Sequence, residues 1–176
     1  MRAFIALELP EAFAADVAGI SLQLSAVLDG RFVSERNHHV TLAFLGDICE
    51  ADIRSCMDAM DAACDGVGPI PIASDGLGKF GRASDATLWL GIRGEGLGEL
   101  AQRLREELRA RGIGFDEKGF LAHVTLARRV RIKPECLGDL AFPADDQIVA
   151  CTLFRSTLSS SGAKYKPLYT VDLGDE

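Results

Sequence analysis

The chain has 176 residues, nearly half of them apolar and about a quarter charged, with a net charge of −7. That length fits one domain with a sizeable core, and the balance is that of an ordinary soluble globular protein. The acidic net charge excludes a protein that tracks long duplexes by neutralising many phosphates, and confines any nucleic-acid contact to an end or a single nucleotide.

The opening run MRAFIALELP carries one Arg and a short apolar stretch before Pro10 and Glu11. It is too short for a signal peptide or a membrane span. Residues 3–9 read as a buried strand. Pro10 then starts a helix whose apolar positions Phe13, Val17, Ile20, Leu24 and Leu28 fall on one face, with Gly30 as a stop. Residues 38–45 read as a strand. A second helix carries Ile53, Cys56, Met57, Met60 and Cys64 at helical spacing. PIPIAS and ATLWLGI read as strands joined by a Gly-rich hairpin connection. A third helix spans about 96–111, with Leu97, Leu100, Leu104 and Leu108 as its stripe and Gly112 at the position that ends it. Strands follow near 120–127, 147–157 and 164–172. The five cysteines are odd in number, and none forms a C-x-x-C pair. They read as reduced core thiols of a cytoplasmic protein.

The pentapeptide HVTLA occurs twice, at His39–Ala43 and at His123–Ala127, and all three histidines lie in or beside the two copies. The offset is 84 positions. At the same offset FIALEL falls on LWLGIR, Phe13 on Leu97, Val17 on Ala101, Ile20 on Leu104 and Leu24 on Leu108. A strand–helix–strand unit therefore aligns with itself without a gap, at about 3–45 and 87–129. This predicts an internal duplication, with a cleft on the pseudo-twofold axis.

Side chains alternate faces along a strand. In each copy His and Thr share one face, and Val and Leu share the other. Val and Leu belong to a core. If the units oppose each other, His39 and Thr41 meet His123 and Thr125 across a polar cleft. Those groups suffice for phosphodiester hydrolysis without a metal. A neutral His takes a proton from water, and a protonated His gives one to the leaving oxygen. Thr hydroxyls donate to the phosphate oxygens. Arg128 and Arg129 follow the second copy directly and offer a cation.

At these residues the chain resembles the two-histidine phosphoesterase superfamily, whose signature is a pair of H-x-T/S-hydrophobic motifs. Within it the chain looks like the LigT-type RNA 2′,3′-cyclic phosphodiesterases, also called 2′-5′ RNA ligases. RAFIALELP, NHHVTLAFLGD, GLGKFGR with TLWLGI, FLAHVTLARRV and LFRSTLSSSGAKYKPL carry the likeness over nearly the whole length. The chain departs from the family at Ala122, where Pro often precedes the second His. The resemblance implies a bilobal α+β fold with mainly antiparallel sheets flanking a cleft and helices outside. It implies hydrolysis of RNA 2′,3′-cyclic phosphate ends to 2′-phosphomonoesters, with reversible 2′-5′ ligation as an accompanying activity. It implies His39 as proton donor to the leaving 3′ oxygen, His123 as the base, Thr41 and Thr125 as phosphate ligands, and Arg128 as a further phosphate contact. No cofactor or metal is expected. The expected partner is an RNA end or oligonucleotide bearing the cyclic phosphate, bound by a monomer, with no membrane.

Two rival readings keep the fold or the surface and change the function. One is a phosphodiesterase for small cyclic nucleotides or 2′-5′ oligonucleotides. The other is a non-catalytic RNA-end binding module. GLGKFG formally matches G-x-G-x-x-G but precedes a strand, so it reads as part of the hairpin and not as a dinucleotide site. His38 reads as structural, Phe44 as core, and Phe120 as core or base-stacking. Arg128, Arg129, Arg131 and Lys133, with Arg155, Lys164 and Lys166, read as a solvated face or as a rim for RNA phosphates.

Overall fold

A computed structural model describes residues 1–174. The first strand, β1 (Arg2–Glu8), is buried along its whole interior, as its apolar run requires. Pro10 sets φ at −62° immediately before α1 (Glu11–Ser25). The stripe Phe13, Val17, Ile20 and Leu24 is buried, each side chain contributing roughly 1.5–3 kcal/mol on leaving water. Next come a two-residue strand, β2 (Arg31–Phe32), a single 3₁₀ turn, and β3 (His39–Asp47), which contains the first HVTLA. The second helix, α2 (Glu50–Cys64), starts in a capping box between Cys49 and Asp52. A hairpin follows, β4 (Ile70–Arg82) with β5 (Asp85–Arg93), then α3 (Leu97–Ala110), which stops before Gly112 at φ 73°. The second HVTLA opens β6 (His123–Val130). The chain closes with β7 (Asp146–Ile148), β8 (Ala150–Ser159) and β9 (Gly162–Asp172).

The strands form two antiparallel sheets, ordered β3-β1-β8-β9 and β2-β6-β5-β4-β7. The fold is α+β, as the resemblance implies. One continuous core joins the sheets and helices, and Val40, Leu42, Val124 and Leu126 all lie in it without exposure. Helices α2 and α3 pack on each other and reach β3, β8 and β9.

Three expectations need correction. The Gly-rich stretch is not a connection: it is the second half of β4, and the turn is only Ala83–Ser84. Gly78 sits directly opposite Trp89, and the indole lies where a Cβ would be, 2.2 Å away, so a side chain there is excluded. The apolar run near 147–157 is two strands. It breaks at Val149, so that β7 pairs with β4 in one sheet while β8 pairs with β1 in the other.

The third correction concerns the gapless repeat. Glu8 pairs with His39, Leu7 with Val40, Ala6 with Thr41 and Ile5 with Ala43. Gly91 pairs with His123, Leu90 with Val124, Trp89 with Thr125 and Leu88 with Ala127. The motif strands match at an offset of 84, but their partners β1 and β5 match at 83. The two units are one residue out of step between strand and helix. In register, Leu42 and Leu126 are the extra residues of β-bulges at the same place in each copy.

Candidate active site

The bulge explains the burial of both motifs. Before it, His and Thr are partly exposed while Val and Leu are buried. After it, Ala43 and Ala127 are buried too, because the extra residue reverses the alternation. The carbonyl of each bulged Leu then needs a partner outside the pair. Leu42 O accepts from Arg105 Nε of α3 at 3.1 Å, and Leu126 O accepts from the Val33 amide at 2.8 Å. The reversed phase also carries Phe44 outward. It is 47% exposed and borders the cleft, not the core as the sequence suggests.

Each histidine is oriented in the same way. His39 Nδ1 donates to the Asn37 carbonyl at 2.6 Å, and His123 Nδ1 donates to the Leu121 carbonyl at 2.6 Å. A carbonyl accepts only, so the proton of each neutral ring is fixed on Nδ1 and the reactive nitrogen is Nε2. On His39 that nitrogen meets the Thr41 hydroxyl at 2.9 Å, which donates to it when the ring is neutral. His123 Nε2 and Thr125 make no such bond. Strands β3 and β6 belong to different sheets but come close to one another. Thr41 thus sits on His39 Nε2, with His123 and Arg128 within electrostatic reach of that ring and Thr125 on the same face of β6 as His123.

The surroundings of the two rings differ. His39 stacks on Phe4 at 4.8 Å between centroids and meets the edge of Tyr165 at 5.4 Å, with Phe154 beyond at 6.4 Å. This apolar cage disfavours the imidazolium. Burial pushes the His39 pKa down to about 4, against the hydrogen bond His39 donates to the Asn37 carbonyl, which favours the charged form; the neighbouring His38, Arg128 and His123 charges lower it further. His123 stands against Phe80 at 5.2 Å and Trp89 at 5.7 Å. Phe4, Tyr165, Trp89 and Phe80 come from strands far from the motifs in sequence, and no local pattern marks them.

A cleft of about 1050 Å³ opens between the sheets, bordered by Arg128 and by Phe4, Asn37 and Tyr165, which touch His39. His39, Thr41, His123 and Thr125 themselves do not line it, so it adjoins the histidine pair on one side. Of the positive residues singled out in the sequence, Arg128 and Arg129 border it. Arg155, Lys164 and Lys166 do not; they alternate with the cleft-facing Ser156 and Tyr165. Arg2 and Arg31 do border the cleft, and the sequence reading passed over them. His38 points away from the site, only 8% exposed, with both ring nitrogens unpartnered and burial lowering its pKa. Phe120 packs against the core. Among the described residues, no three His, Cys, Asp or Glu side chains converge as metal ligands would, and no helix is long and apolar enough to cross a membrane.

A family model, the 2′-5′ RNA ligase superfamily, matches residues 9–145. The chain is 32% identical over 177 residues to an RNA 2′,3′-cyclic phosphodiesterase of Thermotoga maritima, covering 96% of this chain and 94% of that protein. It is 32% identical over 137 residues to one of Archaeoglobus fulgidus, covering 77% and 76% respectively. Among solved structures, E. coli LigT in complex with 3′-AMP superposes with a TM-score of 0.78 at 26% identity, covering 99% of this chain and 98% of that one. With fold, paired motifs and sequence in agreement over most of its length, the chain belongs to the 2′-5′ RNA ligase superfamily.

Proposed function

We propose that the protein hydrolyses 2′,3′-cyclic phosphodiester ends of RNA to 2′-phosphomonoesters, using His39 and His123 as its acid and base. The observation that carries this is the matched pair of H-x-T strands, each with Nδ1 tied to the carbonyl two residues back, so that both reactive nitrogens are the outward Nε2 atoms. In the step, a water oxygen bonds to phosphorus as the bond to O3′ breaks. His123 Nε2 takes a proton from the water, and His39 Nε2 gives one to O3′. Thr41, Thr125 and Arg128 hold the non-bridging oxygens, where negative charge grows.

The donor must be charged, whereas burial keeps His39 neutral at pH 7 in the free protein. The substrate itself removes this obstacle. A phosphate anion about 4 Å from the ring, in a partly solvated site, stabilises the imidazolium by about 4 kcal/mol. That is about three pKa units, enough to bring His39 from about 4 to neutrality. Binding and charging are one event, so the acid is armed only when a phosphate is present.

The matched registers and bulges support reading the chain as one domain with an internal repeat, about 3–45 and 87–129. The five unpaired thiols support a reducing, cytoplasmic setting, and a monomer suffices because both motifs come from one chain. The test is product analysis on an oligoribonucleotide ending in a 2′,3′-cyclic phosphate, in EDTA. A 2′-phosphate with multiple turnovers is expected. A 3′-phosphate product, or binding without turnover, would overturn the reading.

A further inference from the structure

The chain carries a net −7, yet the cleft is bordered by four arginines and a single carboxylate, Asp116. Arg129 is paired with Asp85. Arg2, Arg31 and Arg128 make no ion pair among the described residues. One cation suffices for the scissile phosphate, and Arg128 is next to that site. The other two are unexplained by it.

Their positions are regular. Arg31 is the direct partner of Arg128 on the β2–β6 ladder, so the two side chains project from neighbouring backbone positions. Across the cleft, Arg2 lies two residues beyond Phe4 on the same face of β1 and faces Ser156 on β8. Two residues of strand advance about 7 Å, the scale of one nucleotide step. Opposite Phe4 of the His39 cage, Phe44 stands half out of the surface, and Phe115 and Leu158 complete an apolar wall of the cleft. The cleft volume, about 1050 Å³, lies just above the ~300–1,000 Å³ usual for a single small ligand.

We propose that Arg2 and Arg31 form a second phosphate subsite. It holds the phosphodiester 5′ to the cyclised nucleotide, with Phe44 offering a face to the preceding base, and it makes the enzyme selective for chains of two or more nucleotides over nucleoside cyclic phosphates. The proposal rests on the reading of the histidine site as a cyclic phosphodiesterase. A charge-assisted contact to a phosphate supports a gain of about tenfold to a hundredfold, read as kcat/KM for a dinucleotide with a terminal 2′,3′-cyclic phosphate over that for the corresponding nucleoside 2′,3′-cyclic phosphate.

The experiment compares that ratio in the wild type, Arg2→Ala, Arg31→Ala and the conservative Arg2→Lys. A wild-type ratio of ten or more that falls to within threefold of one in both alanine variants, and recovers in Arg2→Lys, is expected. A wild-type ratio near one, or variants that lose equally on both substrates, overturns the subsite. If neither substrate turns over, the catalytic reading falls. The subsite is then decided by calorimetric titration with unreactive mono- and dinucleotide 2′-phosphates. Tighter dinucleotide binding that is lost in Arg2→Ala upholds it, and equal binding overturns it.

Discussion

The two HVTLA strands have the same five residues, the same bulge at the same Leu, and the same bond from Nδ1 to the carbonyl two residues back, yet their histidines are not equivalent. His39 sits on an edge strand under a cage from β1, β8 and β9, and its reactive nitrogen is engaged by Thr41. His123 sits on an interior strand against the β4–β5 hairpin, and Thr125 leaves its Nε2 alone. The backbone carbonyl two residues before each pentapeptide fixes orientation and tautomer in the same way in both copies. The covering strands differ, and the burial they impose on His39 lowers its basicity. One repeated sequence thus puts its two histidines in different surroundings by changing only the strands that cover it.

The strongest way to break the comparison is to remove either ring. His39→Ala and His123→Ala should each lower kcat by about a thousandfold, with melting temperatures within a few degrees of the wild type. The double variant should be scarcely worse than either single one, because the pair acts as a unit. Full turnover in either single variant would end the two-histidine reading.

A second test sharpens the difference between the copies. The unfolded His39 titrates near ~6.5, whereas the folded one titrates at about 4. The unfolded chain binds this proton first as pH falls, so the contribution to stability is present above ~6.5 and is lost as pH drops from there towards 4. It amounts to about 3 kcal/mol at most. Phe4→Leu opens the cage and should move the His39 titration upward, observed by NMR of the ring, while its effect on His123 is small. No movement of His39 would mean that the cage does not set its basicity.

Much of this was legible before the fold was known, and the limits were physical. Alternation within H-V-T-L places two residues on each face, and the helix stripes and their glycine stop are periodic signals. A bulge adds a residue without altering composition. The one-residue slip between β1 and β5, and the outward turn of Phe44, therefore left no trace in the pattern. A strand that changes sheets at Val149 reads as one apolar run. The cage around His39 is assembled from Phe4, Phe154 and Tyr165, none of them near the motif in sequence, so equal motifs looked alike.

Gly78→Ala tests the other cover. A methyl there meets the Trp89 ring at 2.2 Å, and Trp89 packs against both Phe80 and His123, so the indole must shift and disturb that cluster. A stability loss of about 1–3 kcal/mol is expected, with a several-fold fall in kcat from the disturbed His123. Gly19→Ala is the control. It lies within α1 with open space at its Cβ and should stabilise by about 0.5–1 kcal/mol. Equal behaviour of the two variants would show that the hairpin does not position His123.

The smallest expected effect lies just past the motifs, where each strand carries a second bulge. In the first copy the left-handed residue is Gly46, at φ 68°, which costs nothing. In the second it is Arg129, at φ 57°, the one non-glycine with positive φ among the described residues, and a side chain there costs roughly 1–2 kcal/mol. Its exposed ion pair with Asp85 at 2.8 Å returns at most about 1 kcal/mol. Arg129→Gly should therefore leave the melting temperature unchanged or slightly raised, whereas Gly46→Arg, into open space, should lower stability by the backbone strain alone. If Arg129→Gly is instead destabilising and Asp85→Asn reproduces the loss, the pair with Asp85 outweighs the strain. The asymmetry between the copies would then be held by a charge contact and not merely tolerated by the backbone.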